Sequence, residues 1–311
     1  MALQETKRGA VRKWFVKFGC QKYRLPLVIH FLLPTVICMM FSLLTPLMTR
    51  AQVRMYNTVK QKLMEGKLVT GGTVTTSDPN IYCAMANAGF DYLWIEMQHS
   101  PLTYSDVAKM IWACKDAPAI PFIRVPNATE GDIQKATDIG ALGIIVPMVH
   151  TVKEAQDAVM YAKYPPLGRR SRGGGQHSAL WGEDYRETYN DNVMIVIMIE
   201  SPEGVAIVDQ IAAVPGVDVV FAASGDLASF TGWERSDPRY KAMVTKIHDA
   251  TLKAGKKLAG PSAWIGRQGF SFFQGWDEKN LIKAGAQLGL APAQGSHGGL
   301  DRDVATGDDP N

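Results

Sequence analysis

From Met55 onward the chain keeps one beat: a short apolar run rich in β-branched residues, then an amphipathic segment of helical period. The runs are "LVTGGTV" (68–74), "DYLWIEM" (91–97), "IPFIRV" (120–125), "GIIVPMV" (143–149), "VMIVIMIE" (193–200), "VDVVFAA" (217–223), "KLAG" (257–260) and "FSFFQG" (270–275). Between them lie helical stretches such as "TYSDVAKMIWACKDA", "TVKEAQDAVMYAKY" and "PRYKAMVTKIHDATLKAG", several of which stop at a glycine. The runs do not alternate polar with apolar, so both faces of each strand are covered. Eight such units in about 240 residues predict an α/β fold, a (β/α)8 TIM barrel. An open doubly wound sheet would place G-x-G-x-x-G after the first strand, and none stands there. One unit is short: "PSAWIGRQG", between the last two runs, has no room for a normal helix.

Composition sets the rest of the organisation. The chain has 311 residues, 46% hydrophobic and 20% charged, enough apolar material for one large core. Its net charge of +3 is uneven: residues 1–54 carry nine Lys/Arg and one acid, a net +8, which leaves −5 for the remainder. The body therefore has no basic stripe for nucleic acid. Inside the basic leader, residues 25–48 hold no Lys, Arg, Asp or Glu and are long enough to span a bilayer. Seven basic residues precede that hydrophobic segment, which would keep the N-terminus cytoplasmic if it is retained as an anchor. A signal peptide, or an extension ahead of a start at Met55 with a cytoplasmic body, are the other readings. Residues 55–291 are expected to form the barrel domain, and the weakly apolar tail 292–311 to be disordered. Cys20 and Cys38 fall in the leader; Cys83 and Cys114 fall in helical segments without metal spacing, so no disulfide is expected.

Chemistry in such a barrel gathers at the C-terminal ends of the strands. There this sequence places Glu96 and His99, Arg124, His150, Glu200 and Asp226. Each follows an apolar run, and burying any one charge alone is costly. Glu200 and Asp226 close successive strands, so their carboxylates can converge, and two like charges repel unless a proton or a cation lies between them. Two carboxylates with open oxygen sites suit a hard divalent cation. Arg124 offers a planar fork for a carboxylate, and His99 a group that titrates near neutrality. Each residue also has a plainer reading. Glu200 and Asp226 can serve helix N-termini, Arg124 can pair with Glu96, and His150 can cap "TVKEAQ". Trp94, Trp112 and the methionines read as core. "RRSRGGGQHS" (169–178) reads as either a phosphate cradle or a mobile loop beside the barrel mouth.

With these residues in place, the sequence resembles the class II pyruvate aldolases of the 4-hydroxy-2-oxoheptanedioate aldolase type, a phosphoenolpyruvate/pyruvate-type barrel family. The resemblance is carried by "GFDYLWIEMQHSP", "IRVP", "ATDIGALGIIVPMVHTVKEAQDAV", "YPPLGRRSRGGG", "IES" and "GVDVVFAASGDLA", in family order. It implies a metal-dependent carbon–carbon lyase that cleaves a 4-hydroxy-2-oxo acid to pyruvate and an aldehyde through an enolate. It implies Mg²⁺, Mn²⁺ or Co²⁺ on Glu200 and Asp226, Arg124 on the pyruvate carbonyl, and His99 as a base assisted by Asp138. Backbone at Ser224 and Gly225 would hold the pyruvate carboxylate, and the family implies a homo-oligomer, trimer or hexamer. Four features depart from the family pattern: Glu96-Met97-Gln98-His99 where Asp-x-Glu-His is usual, Met198 where Gln is usual, Ala223-Ser224 where Gly-Pro is usual, and the short seventh helix. A different lyase or decarboxylase acting on oxaloacetate or an acyl-CoA, and a non-catalytic membrane-bound barrel, are the alternatives.

Overall fold

The eight apolar runs become eight parallel strands, hydrogen-bonded in chain order and closed on themselves: β1 (Val69–Val74), β2 (Tyr92–Glu96), β3 (Ile120–Arg124), β4 (Gly143–Val146), β5 (Met194–Ile199), β6 (Val219–Ala222), β7 (Lys257–Pro261) and β8 (Phe270–Asp277). This is the expected (β/α)8 barrel. The computed structural model describes residues 53–290. The apolar segment 25–48 and the tail 292–311 lie outside the described residues, and among those described no helix is long and apolar enough to cross a membrane.

Every residue of β2 through β6 is buried, which explains why the runs do not alternate. One face looks into the barrel and the other packs under helices. A short helix, α1 (Thr58–Met64), precedes β1. The outer layer then follows as α2 (Pro79–Ala86), α3 (Tyr104–Ala113), α4 (Glu130–Asp138), α5 (Val152–Ala162), α6 (His177–Trp181), α7 (Tyr185–Asn192), α8 (Pro202–Ala206), α9 (Val208–Ala212), α10 (Ser224–Thr231), α11 (Pro238–Lys253) and α12 (Glu278–Leu290). Thr103 with Asp106 and Thr151 with Glu154 form capping boxes that start α3 and α5. Between β7 and β8 the chain makes only a 3₁₀ turn, Ser262–Trp264, as the short "PSAWIGRQG" requires.

Helix α1 lies across the N-terminal end of the barrel. The Asn57 side chain caps it and donates to the carbonyls of Leu142 (3.2 Å) and Asn192 (2.7 Å). The Asn192 side chain in turn accepts from the Tyr56 and Asn57 amides at 2.8 and 3.0 Å. These fully buried asparagines replace the water their amides would otherwise bind.

The barrel interior is filled by rings. Tyr92 stacks on Phe272 with centroids 4.4 Å apart and meets Phe122 at 4.9 Å. Two glycines on flanking strands make the room. A Cβ on Gly71 would lie 2.3 Å from the Tyr92 ring, and one on Gly143 1.9 Å from Phe122.

Two expectations are overturned. Trp112 of α3, Met64 of α1 and Met160 of α5 lie at the surface rather than in the core. Cys83 of α2 and Cys114, just past α3, are joined as a disulfide with their Cα atoms 5.5 Å apart. The spacing of 31 residues hides the pairing, because successive helices of a barrel bring such positions side by side only after folding.

Gly143→Ala is expected to lower unfolding free energy by about 1–3 kcal/mol, since Phe122 has no free space to yield. Chemical denaturation measures it; an unchanged midpoint would show that the ring moves without cost.

Candidate active site

At the C-terminal ends of β2, β3 and β5, three charged side chains meet out of water. Cross-strand register sets Glu96 opposite Arg124, and Glu200 follows the last residue of β5. Arg124 Nη1 donates to Glu96 Oε2 and Nη2 to Glu200 Oε1, both at 3.1 Å. The side chains are 8%, 6% and 0% exposed. A guanidinium so placed is stable only because both forks are met by carboxylates. Its Nε has no partner, so one buried donor is left to point at something else.

Each carboxylate has further donors. Glu96 Oε1 accepts the backbone amides of Gln98 (2.9 Å) and His99 (3.1 Å), while Oε2 also accepts Trp94 Nε1 at 3.0 Å. Glu200 Oε2 accepts the Met148 amide at 2.9 Å. Met148 has φ of 55°, the left-handed region that a residue with a β-carbon rarely adopts. That strain, at the loop after β4, turns its N–H onto Glu200. The Glu200 carboxyl is pushed above its usual range, first by burial and then by the negative charges of Asp226 and Glu96, against Arg124 and the Met148 amide.

Asp226 sits half-buried in the first turn of α10, close enough for its charge to act on Glu200. Ala223 begins that helix and supplies no side-chain cap, so the amides of the first turn are open to an anion. Ser224 is buried and Gly225 exposed there. His99 is exposed at the rim of the same mouth. His150 is a neighbour rather than a member: its Nδ1 meets Ser201 Oγ at 2.8 Å, and the cap of α5 is Thr151, not His150 as the sequence suggested.

The Glu200 and Asp226 side chains fit a hard divalent cation. Their donors are carboxylate oxygens, and Glu96, Glu200 and Asp226 set three carboxylates against the single guanidinium of Arg124. Among the described residues no three His, Cys, Asp or Glu side chains form a closed ligand set, so the protein would leave much of the coordination shell to water and substrate.

Two expected groups lie away from this mouth within one chain. Asp138 does not stand beside His99 within the chain. It ends α4, at the barrel face opposite the mouth, where it binds Arg170 Nη2 at 2.8 Å and Gln134 Nε2 at 3.0 Å. The stretch 169–178 is likewise not beside the mouth, because it follows α5 and leads toward β5. Nor is it a phosphate cradle: Arg170 is 2% exposed, spent on Asp138 and the Tyr185 hydroxyl, and sandwiched 4.5 Å from the Tyr164 and Tyr189 rings. A Cβ on Gly173 would come within 2.9 Å of the Asp138 carboxylate, which accounts for glycine there.

The same cluster holds His177 against Tyr185, with its Nδ1 3.1 Å from the Asp138 carbonyl. Burial, with the Arg170 charge, holds this imidazole below its ordinary range. Above that range, both folded and unfolded chains keep it neutral and stability is full. As pH falls through about 6.5, the unfolded chain takes up the proton that the folded one resists, and stability falls. His177→Gln is expected to flatten this part of the profile, read as urea midpoints at about pH 7.5 and about pH 5.5. Equal losses in both proteins would remove His177 from the acid response.

The chain is similar to known proteins of one family. Residues 74–261 match the model of the HpcH/HpaI aldolase/citrate lyase family. A hydroxypyruvate/pyruvate aldolase of Rhizorhabdus wittichii is 32% identical over 68% of this chain and 88% of its own. A 2-dehydro-3,6-dideoxy-6-sulfogluconate aldolase of Pseudomonas putida is 32% identical over 59% of this chain and 72% of its own. The crystal structure of an HpcH/HpaI aldolase/citrate lyase family protein from Burkholderia cenocepacia superposes with a TM-score of 0.69 at 28% identity, covering 75% of this chain and 98% of that one. The chain belongs to the HpcH/HpaI aldolase/citrate lyase family.

Proposed function

We propose that this family member is a divalent-metal-dependent aldolase that reversibly cleaves a 4-hydroxy-2-oxo acid into pyruvate and an aldehyde. One observation carries the reading: a buried arginine, its fork fixed by Glu96 and Glu200, keeps an unpartnered Nε–H beside the Glu200/Asp226 pair. Support comes also from the names of the relatives, among them a hydroxypyruvate/pyruvate aldolase and a 5-keto-4-deoxy-D-glucarate aldolase.

Glu200 and Asp226 would hold the cation, which when bound supplies Lewis-acid polarisation of the 2-oxo group. The chain's own groups do the rest. Open amides at Ser224 and Gly225, at the start of α10, receive the substrate carboxylate. Arg124 donates to the 2-oxo oxygen, where negative charge grows as the C3–C4 bond breaks. His99 takes the proton of the 4-hydroxyl, the C4 fragment leaves as an aldehyde, and the bonding pair passes through C3 to the C2 oxygen as an enolate. Proton return to C3 gives pyruvate. Asp138 joins His99 only in an assembly that sets the opposite face of a second copy's barrel against this mouth, so the homo-oligomer belongs to the same proposal. Anchoring through residues 25–48 is a separate question, which fractionation of the full chain answers.

Two outcomes are expected. Arg124→Lys keeps the charge but loses the fork, and turnover should fall at least about 100-fold with the fold retained. Near-normal turnover would remove Arg124 from the chemistry. For the metal, melting curves and pyruvate release are measured with and without chelator, and again after adding Mn²⁺ or Mg²⁺. Chelator should lower both, and Glu200→Gln should make both insensitive to it. A wild type that chelator leaves unchanged in both would mark the carboxylates as structural. Pyruvate from oxaloacetate but from no 4-hydroxy-2-oxo acid would make the enzyme a decarboxylase instead.

A further inference from the structure

Beneath the charged residues, the indole N–H of Trp94 reaches up to one of them, while the hydroxyl of its buried neighbour Thr73 is spent on the Gly275 carbonyl at 2.9 Å. Side chains two residues apart on a strand share a face, so Trp94 lies directly under Glu96, Phe122 under Arg124 and Met198 under Glu200. Phe221, which pairs with Met198, meets the Trp94 ring at 5.2 Å. All four are buried, and Trp94 is fully enclosed. Phenylalanine and methionine have no N–H or O–H to give. Only Trp94 does, and it gives upward, to Glu96 Oε2 at 3.0 Å.

That oxygen is the one that accepts Arg124 Nη1 at 3.1 Å. The Arg124 guanidinium carbon lies 6.0 Å from the centre of the indole, at the reach of a cation–π attraction. The other Glu96 oxygen is occupied by the Gln98 and His99 amides. A carboxylate held by four donors on two oxygens has one orientation available. Without the indole, Oε2 keeps Arg124 alone while Oε1 keeps its two amides, so the end of the carboxylate that faces Arg124 loses one of its two donors and can tilt. Arg124 then loses the fixed partner that aims its Nε.

We propose that Trp94 is a positioning residue for the reaction: its indole N–H locks the Glu96 carboxylate, and through it the Arg124 guanidinium, in the orientation that meets the growing enolate charge. The assignment rests on the aldolase reading above. It is distinct from a packing role, which any ring of that size would fill. Binding of the substrate carboxylate, at the far side of the mouth on α10, does not pass through Trp94. The loss on removing the N–H should therefore fall on kcat and spare KM.

The test must remove the hydrogen and keep the volume. Replacement of Trp94 by β-(3-benzothienyl)alanine puts sulfur where the N–H was, in a ring of nearly the same shape. The reaction is read as loss of pyruvate methyl protons to D2O in the presence of Mn²⁺ or Mg²⁺, which needs enolate formation and no aldehyde. We expect kcat for exchange to fall about 10- to 100-fold, the equivalent of one hydrogen bond to a charged group, with KM within about twofold. Trp94→Phe, which also opens a cavity, should lose more stability than the isostere. A crystal structure of the isostere is the second measurement, and it is expected to show the Glu96 carboxylate turned and Arg124 displaced. Unmoved Glu96 and Arg124, or wild-type exchange, overturns the proposal. If the wild type itself neither exchanges pyruvate nor releases it, the aldolase reading fails, and the structure alone then decides whether Trp94 sets Arg124.

Discussion

Arg124, held between Glu96 and Glu200, is the interaction on which the upper half of the barrel depends. Three formal charges are out of water there, and none is tolerable without the other two. Their presence dictates what lies around them. The aromatic layer below must fill the lumen, because a void would admit water and loosen the pairing. The loops above must supply amides, because every lone pair left open at such burial costs stability. The left-handed Met148 and the turn at Gln98 and His99 are the local distortions that meet this demand.

The division of labour follows the strand order. Strands β2, β3 and β5 bring the charged triad, while α10, after β6, brings Asp226 and a set of open amides. A 2-oxo acid has two anionic or electron-rich ends only a few bonds apart, and the mouth presents positive character at two matching places. The belonging of the chain to the aldolase/citrate lyase family rests on sequence and fold, whereas the 2-oxo acid substrate is the proposal that this match of charge to chemistry supports.

Much of this was legible in the sequence, and the rest was hidden for identifiable reasons. All eight strands fall on the apolar runs because burial on both faces writes itself as an unbroken hydrophobic word. Of the charged residues at the ends of those words, Glu96, Arg124 and Glu200 meet, and the charge of Asp226 acts on Glu200. Trp94 passed as core, although a period of two places it on the Glu96 face; its size concealed its hydrogen. The Met148 amide left no trace, since a backbone donor has no letter. Asp138 was placed with His99 by family resemblance and the glycine-rich stretch beside the mouth by its loop-like composition, whereas chain direction alone sends the end of α4 and the end of α5 to the opposite face. The Cys83–Cys114 link was missed because 31 residues of sequence separation say nothing about two helices that end side by side.

The paired glycine and ring in the barrel lumen have a consequence for how this sequence can drift. Position 143 is not free to vary while position 122 carries a phenyl group, and position 71 is bound to position 92 in the same way. A larger residue at either glycine becomes acceptable only in a chain whose facing ring has already shrunk, and a lone shrinkage leaves a hole. Homologues should therefore differ at these positions by exchange of bulk across a strand boundary, so that the two members of each pair change together while the volume they enclose stays the same.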